Sequence, residues 1–599
     1  EIKQCLVGSE MCIRDSALRA AFLEIKGPGA SLLPRIDPIG DVDEESPDIL
    51  GMAAEGGALP PAMDPVRRQL WLARLLAGFR IGDSALAPAQ TVRLAESLAR
   101  LMDSLCNADA TPEQLVELLP DRFSRHWQDI LKLLTILIDR WPAILEEEGV
   151  LDPADRRNRL IRLRCEAWRR DPPAGLVVVA GSTGTFAATR ELIACVAGLP
   201  NGHVVLPGLD SAAAEHWQQI RHDTGHPQHQ LSLLLETLDT DPERVAIWKA
   251  PGTDPESGAL RRDLMREAFK PAALSADWRR LGQTSPHLGR DSLAGLSIIE
   301  CATRAEEAGT IALAMREVLE TPGRTAALVT PDRQLAEAVI AALQRWNIDI
   351  DDSAGRPLAS CQAGGFLQCL VAMVAEDFAP VPMLALLKHP LAAGGLAPAD
   401  FRTRVNELEM AVLRGYRLPA GLKGLRASLA GHETLCTFIE RHLAAPLAPF
   451  IEAWASAAPS LATLARALGT SAEAMASRSM LDNGGADPAD GALHIWANED
   501  GETAAALLAS LAEHGGSFEA DTGSFPQILS QMMAARTVRR TWQTHPRLAI
   551  LGPVEARMQS AHRLILGGFN EGHWPPRPEI DPWMNACLLY TSPSPRDTA

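Results

Sequence analysis

The stretch "GLVVVAGSTGTFAATRELIACVAGLPNGHVVLPGLD", Gly175 to Asp210, decides the fold. An apolar run, Leu176 to Val179, starts just past the Pro172-Pro173 stop and enters a Gly/Ser/Thr loop. A helix is expected over Ala187 to Val196 and a second strand over Val204 to Leu206. Short β-branched runs punctuated by Gly and Pro read as strands, and strand, helix, strand at this spacing is a unit of parallel α/β sheets.

A second such pattern opens near Leu296. "LSIIECATRAEEAGTIALAMREVLETPGRTAALVTPDRQLAEAVIAALQRWNIDIDDSAGRPL" reads strand, helix, strand, helix, strand, and closes on a turn at Gly355. Near the end, "PRLAILGPVEARMQSAHRLILGGFNEGHWPP" adds strands at Leu548 to Leu551 and Arg563 to Leu566. Between these patterns, apolar residues recur at three- and four-residue spacing, as in "VRRQLWLARLLAGF" and "WQDILKLLTILIDRWPAILEEEG", which predicts helices over Pro61 to Pro172. Helices are also expected from about Phe378 to Gly491. Upstream, "ALRAAFLEIKGPGASLLPRIDPIGDVDEES" reads as a short helix from Ala17, a turn on Gly27-Pro28-Gly29 and a strand-like Leu32-Leu33-Pro34.

The two ends differ from this pattern. "LVGSEMCIRDS", Leu6 to Ser16, and "CLLYTSPSPR", Cys587 to Arg596, back-translate to opposite strands of one oligonucleotide that resembles a transposase sequencing adapter. Residues 1–16 and 587–599 are therefore set aside, as an expression scar would be, and the coding frame is expected to continue beyond both.

What remains suggests about three to five domains at ordinary domain sizes. With 46% hydrophobic and 22% charged residues the chain suits a soluble globular protein, and no apolar run is long enough to span a bilayer. Outside the set-aside ends, Cys106, Cys165, Cys195, Cys301, Cys361, Cys369 and Cys436 stand singly with no C-x-x-C pair, which suits a reducing cytoplasm and argues against a zinc ribbon. A net charge of −18 is a poor footprint for a protein that coats DNA, so any nucleic-acid surface must be local.

The layout and its loops resemble the superfamily 1 helicase fold, and within it the AddB subunits of bacterial AddAB helicase–nucleases, nearer the alphaproteobacterial type. The resemblance runs from about Ala17 to Trp583 and rests on "LLPRIDPIGDVDEE", "VVVAGSTGTFAATRELI", "LVTPDRQLAEAVIAALQRWNIDIDDSAGRPL" and "LGPVEARMQSAHRLILGGFNEGHWPP". It implies an α/β chain of two RecA-like, P-loop-type parallel-sheet domains, each with an inserted helical subdomain. The first sheet domain would take 17–60 and 173–294, with its insert at 61–172; the second would take 295–377 and 492–586, with its insert at 378–491. It also implies a cytoplasmic, membrane-free subunit that pairs with an AddA-like motor and handles double-stranded ends and single-stranded DNA in double-strand break repair by homologous recombination. An exonuclease domain with an iron–sulfur cluster and Mg²⁺ would follow Trp583, so neither cofactor is expected within this chain.

A helicase motor needs a Gly-rich loop ending in Lys-Ser/Thr and a strand ending in carboxylates that hold the metal. No G-x-x-x-x-G-K-[ST] occurs here, and Val177-Val178-Val179 runs into Ala180-Gly181-Ser182-Thr183-Gly184 with no acid at its tip. Very slow or no ATP hydrolysis is expected, which disfavours an active helicase. Gly181, Ser182, Thr183 and Gly184 form a degenerate nucleotide loop, read as a tight turn with Ser or Thr capping the next helix in preference to a phosphate cradle.

Other candidates are contacts to DNA or to the motor. In "DRRNRLIRLRCEAWRR", Arg159, Arg162, Arg169 and Arg170 share a helix face, beside one that holds Leu160, Leu163 and Ala167; a phosphate-tracking surface competes with a solvated stripe paired to acids such as Asp155 and Glu166. Active relatives carry a Lys-Gly-Leu-Glu run where Gly552 to Arg557 stands here, and Glu555 and Arg557 are expected to pair and brace that loop. Asn570, Glu571 and Trp574 complete the candidates, with Trp574 able to stack on a base or to anchor its loop. His222, His226 and His229 have loose metal spacing, but Pro227 breaks the helix it would need, and no catalytic residue is identified. A helical scaffold without a DNA role is the third reading.

Overall fold

In the computed structural model, Leu176–Ala180 sits inside a four-stranded parallel sheet. The structure describes residues 2–7, 22, 25, 35–39, 59–77, 80–81, 84–110, 140–248, 258–284, 288–415, 418–482, 484–518, 522–539, 544–557, 559–576 and 583. In chain order the first part holds β1 (Ile2–Val7), β2 (Arg35–Pro38), α1 (Pro65–Ala77), α2 (Pro88–Ala108), α3 (Pro153–Arg170), β3 (Leu176–Ala180), α4 (Ala187–Ala197) and β4 (Gly202–Val205). The strands lie in the order β2-β1-β3-β4. Val177, Val178 and Val179 are all buried, which is why this strand reads as a continuous apolar run and not as an alternation. β1 lies among the opening residues set aside above; it pairs with β2 and β3, Leu6 facing Asp37 and Val179, and such pairing asks only for an extended backbone. The expected turn at Gly27-Pro28-Gly29, the Leu32–Pro34 run and the 587–599 end fall outside the described residues.

The helix α3 starts where the sequence supplies a cap: Asp152 accepts from the Ala154 amide at 3.2 Å, and Pro153 occupies the first position. Leu160, Ile161, Cys165 and Trp168 bury against Val177, Val179 and the inner face of α4. This helix, read from sequence as part of the 61–172 helical segment, therefore shares its core with the first sheet.

The second part adds α5 (Ala259–Ala268), α6 (Arg304–Leu319), β5 (Ala326–Val329), α7 (Arg333–Gln344), β6 (Asp351–Asp352), α8 (Gln362–Ala375), α9 (Leu461–Ala476), α10 (Asn498–His514), α11 (Phe525–Ala534), β7 (Leu548–Leu551) and β8 (Arg563–Leu566). Its parallel sheet has the order β8-β5-β7-β6. β7 thus enters between strands that precede it by about two hundred residues, with Leu548 facing Ala326 and Ile550 facing Asp352. One sheet face packs on α6 and α7 through Leu328, Ile550, Ile311, Met315, Leu335 and Val339. Among the described residues the other carries a small cluster of Ala327, Val329 and Leu551 with Trp574 against it, and Leu564 and Leu566 on the same side are 55% and 49% exposed. The strand expected to open near Leu296 does not form: among the described residues 296–300 pair with no strand, and Ile298 and Ile299 are 85% and 68% exposed. An apolar β-branched run becomes a strand only where a neighbour offers its own N–H and C=O groups.

Two short two-stranded sheets, Arg80–Ile81 with Ser84–Ala85 and Arg356–Pro357 with Thr537–Val538, accompany the helices, and one hydrophobic core unites segments far apart in sequence. Leu72, Leu76 and Leu98 of α1 and α2 share it with Phe366 and Leu370 of α8, Leu464 and Leu468 of α9, Leu507 of α10 and Phe525 of α11. At ~1.5–3 kcal/mol for each large side chain fully buried, this shared core is a main driving term for folding. No described helix is long and apolar enough to cross a membrane.

Candidate functional site

The loop after β3 is built around its glycines. Gly181 donates to the Val205 carbonyl at 3.1 Å, and Ser182 Oγ accepts from the Gly184 amide at 3.1 Å. Gly184 has φ +67, and a Cβ there would come within 2.8 Å of Arg190 Cγ. Ser182 and Thr183 do not cap α4, contrary to the expectation: Phe186 is the capping residue and supplies no side-chain bond. Instead the Arg190 guanidinium, one turn into the helix, donates to the carbonyls of Gly184 at 2.9 Å and Thr185 at 3.3 Å. The loop is held by its own hydroxyls and one arginine.

Of the four arginines on the α3 face, Arg159 bonds Asp155 at 2.8 Å, one turn back. Arg162 bridges Asp109 at 2.8 Å and Glu191 at 3.2 Å, and these hydrogen bonds hold its guanidinium above the usual arginine range. Arg169 and Arg170 are exposed in the last turn, where cations complement the helix dipole. Sequence reasoning missed Arg164, which is buried and lies 5.7 Å from the Trp168 ring centroid. Only its place one turn before Trp168 hinted at it.

The remaining candidates gather at the carboxyl ends of the second sheet, where open parallel sheets place their ligands. Glu555 and Arg557 lie in a turn after β7 closed by the Ala556 amide on the Gly552 carbonyl at 2.9 Å. They do not form the expected ion pair; the Glu555 side chain instead folds back against Gly552. Asn570 and Glu571 are exposed after β8, and the Asn570 carbonyl accepts from the amides of His573 at 3.1 Å and Trp574 at 3.0 Å. Trp574 donates from its indole N–H to the Gly567 carbonyl at 3.1 Å, lies 5.8 Å from the Phe569 ring and packs on the sheet. It is a loop anchor with its polar handle already used.

Around them stand residues that the sequence reading did not single out. Asp332 Oδ1 caps α7 through the amides of Gln334 at 2.9 Å and Leu335 at 3.1 Å, while Oδ2 lies 3.5 Å from Arg304 and 3.6 Å from His573. Glu307 accepts from the Gly568 amide at 2.7 Å. Arg333 pairs with Asp352, whose carboxyl is pushed up by burial against the pull of that guanidinium. An Asp three residues past an apolar run and just before a helix was the available signal for Asp332. The result is a polar rim in which charges neutralise one another, a brace and not an assembled acid–base pair.

The three histidines do not converge on a metal. His226 Nδ1 accepts from the Gln228 amide at 3.1 Å, so its Nε2 carries the proton donated to the Phe269 carbonyl at 2.7 Å. Among the described residues no three His, Cys, Asp or Glu side chains lie close enough to hold a metal. Comparison of the chain with protein-family models and with curated proteins finds no match in either.

Proposed function

We propose that this chain is the DNA-handling, non-motor part of an AddB-like subunit, two RecA-like domains with helical inserts, which acts with an AddA-like motor on double-strand DNA ends. The observation that carries the reading is the loop after β3. It occupies the carboxyl end of a central parallel strand, where a motor would hold phosphate and metal, yet has no carboxylate at the strand tip and is closed by Arg190 on the carbonyls of Gly184 and Thr185. A fold of this type without motor chemistry is of use as a track and a partner surface. The half-exposed apolar face at Leu564 and Leu566 supports a partner too, since all-parallel sheets are normally covered on both sides.

The test is DNA-stimulated ATP hydrolysis together with DNA-end binding, with and without the motor subunit, across a range of salt. No turnover by this chain and salt-dependent end binding in the complex are expected. Appreciable turnover would replace the proposal by an active helicase, and salt-independent or absent binding would leave the scaffold reading.

A further inference from the structure

Two cysteines, Cys165 of α3 and Cys195 of α4, lie where these helices pack on each other, in the core they share with Val177 and Val179 of β3. The Cys195 thiol is 3.6 Å from the Cys165 carbonyl, and the two thiols hydrogen-bond one another. The register is set one turn earlier, where Arg162 of α3 bonds Glu191 of α4 at 3.2 Å; the next turn of each helix brings Cys165 opposite Cys195. A disulfide needs two side chains that project toward each other across closely packed backbone, and this pair has that arrangement. Other cysteines are set against different groups: Cys106 near the Asn158 amide at 3.4 Å, Cys301 near the Thr310 hydroxyl at 3.8 Å and Cys436 near the Leu429 carbonyl at 3.4 Å.

The two thiols are not equivalent. Cys165 is 1% exposed and Cys195 7%, so a small reagent meets Cys195 first. As a thiol Cys195 donates to the Cys165 carbonyl; as a thiolate it accepts from the Cys165 thiol. That thiol–thiolate bond, aided by the Arg169 guanidinium one turn beyond Cys165, outweighs burial and holds Cys195 below the usual cysteine range. The same bond and burial push Cys165 up. The thiolate is the nucleophilic form of sulfur, which makes Cys195 the attacking residue and Cys165 the resolving one.

We infer that Cys165 and Cys195 are a redox-active pair that a hydroperoxide converts to a disulfide and a small thiol reduces again, stapling α3 to α4 in the oxidised state. The Cys195 thiolate attacks one oxygen of hydrogen peroxide. The O–O bond breaks, Cys195 becomes a sulfenic acid, and the hydroxide released takes up the proton that Cys195 had lost and leaves as water. The Cys165 sulfur then displaces the sulfenic hydroxyl: the S–S bond forms, and that hydroxyl leaves with the Cys165 proton as a second water. The sulfur pair gives up two electrons and the peroxide accepts them. The new bond closes the segment that holds β3 and its loop, so it restricts the unfolded chain and fixes α3 on the first sheet. In a reducing compartment a bond of this kind is transient, the property of a sensor and not of a structural link. This inference is independent of the DNA-handling reading.

The test is a peptide map of the whole reduced chain after brief exposure to hydrogen peroxide, quenched with catalase and alkylated in urea. Tryptic peptides 165–169 and 191–221 should be recovered joined, and should separate again after dithiothreitol. The oxidised chain should have a higher urea midpoint, which dithiothreitol returns to the starting value. In Cys165→Ala, which lacks the resolving sulfur, dimedone should label Cys195; in Cys195→Ala, Cys165 should stay unlabelled and open to alkylation. Peptides that remain separate with both thiols alkylated, or that join only when peroxide is added to the chain already unfolded in urea, overturn the inference whatever the variants do. Labelling of Cys165 in place of Cys195 overturns the assignment of the attacking sulfur.

Discussion

The Ser510 hydroxyl donates to Asp64 Oδ1 at 2.7 Å, joining residues 446 positions apart in the chain. The same oxygen accepts from the amides of Val66 at 2.8 Å and Arg67 at 3.0 Å, so one carboxylate both caps α1 and ties it to α10. Asp64→Ala should therefore cost ~1–2 kcal/mol as a lost cap, and Ser510→Ala ~1 kcal/mol. Their double-mutant cycle in urea should show a coupling of at least ~0.5 kcal/mol. Strict additivity would show that the two helices are not tied here.

The same carboxylate sets part of the acid stability. Burial raises the Asp64 carboxyl, but the bonds from Ser510, Arg67 and Val66 outweigh it and hold the group below the ordinary aspartate range. A folded-state pKa below the unfolded one means stability that is present above the unfolded value and lost as pH falls through the folded value. The urea midpoint of Asp64→Asn should accordingly fall less steeply with acid than that of the parent as pH drops below the ordinary aspartate range. Parallel acid limbs would contradict this.

On α3, Arg169 and Arg170 are exposed in the last turn, Arg159 is exposed and paired with Asp155, and Arg162 bridges Asp109 and Glu191. Reversing Arg169 and Arg170 to Glu should reduce the slope of log K against log salt by up to ~1.8, two phosphate contacts. Measured by fluorescence anisotropy on a DNA end, an unaltered slope would assign the face to solvent.

Trp574 separates anchoring from stacking. Trp574→Phe removes the indole bond to the Gly567 carbonyl and should lower stability by ~1 kcal/mol. DNA affinity should stay unchanged, because the indole is packed on the sheet. A loss of affinity without a loss of stability would instead make it a base-stacking residue.

Close helix contact depends on Gly491, where a Cβ would lie 1.7 Å from the backbone oxygen of Glu473 in α9. Backbone cannot move aside as a flexible side chain can, so Gly491→Ala should destabilise by ~1–3 kcal/mol or more. The comparison is Gly469→Ala, whose nearest neighbour would be a leucine methyl at 3.8 Å and whose unfolding midpoint should barely fall.

Much of the local structure was legible in the residues. Leu548–Leu551 and Arg563–Leu566 form strands at the bounds their apolar runs announce, and Asp152 and Asp332 start helices because a short carboxylate can reach the first free amides. These signals act over a few residues, so the sequence alone determined an α/β chain of short parallel-type strands and many helices. The tertiary structure decided what depends on a distant partner. It inserted β7 between β5 and β6, gave Ile298 and Ile299 no strand partner among the described residues, gathered α1 and α2 into one core with α8 to α11, and buried Arg164 beside Trp168. It likewise set Cys195 against Cys165 across two helices, and turned an expected Glu555–Arg557 pair into a side chain folded over Gly552. Propensity and capping are settled by neighbours in sequence, whereas pairing order, burial and distant side-chain contacts follow from which apolar faces meet across hundreds of residues.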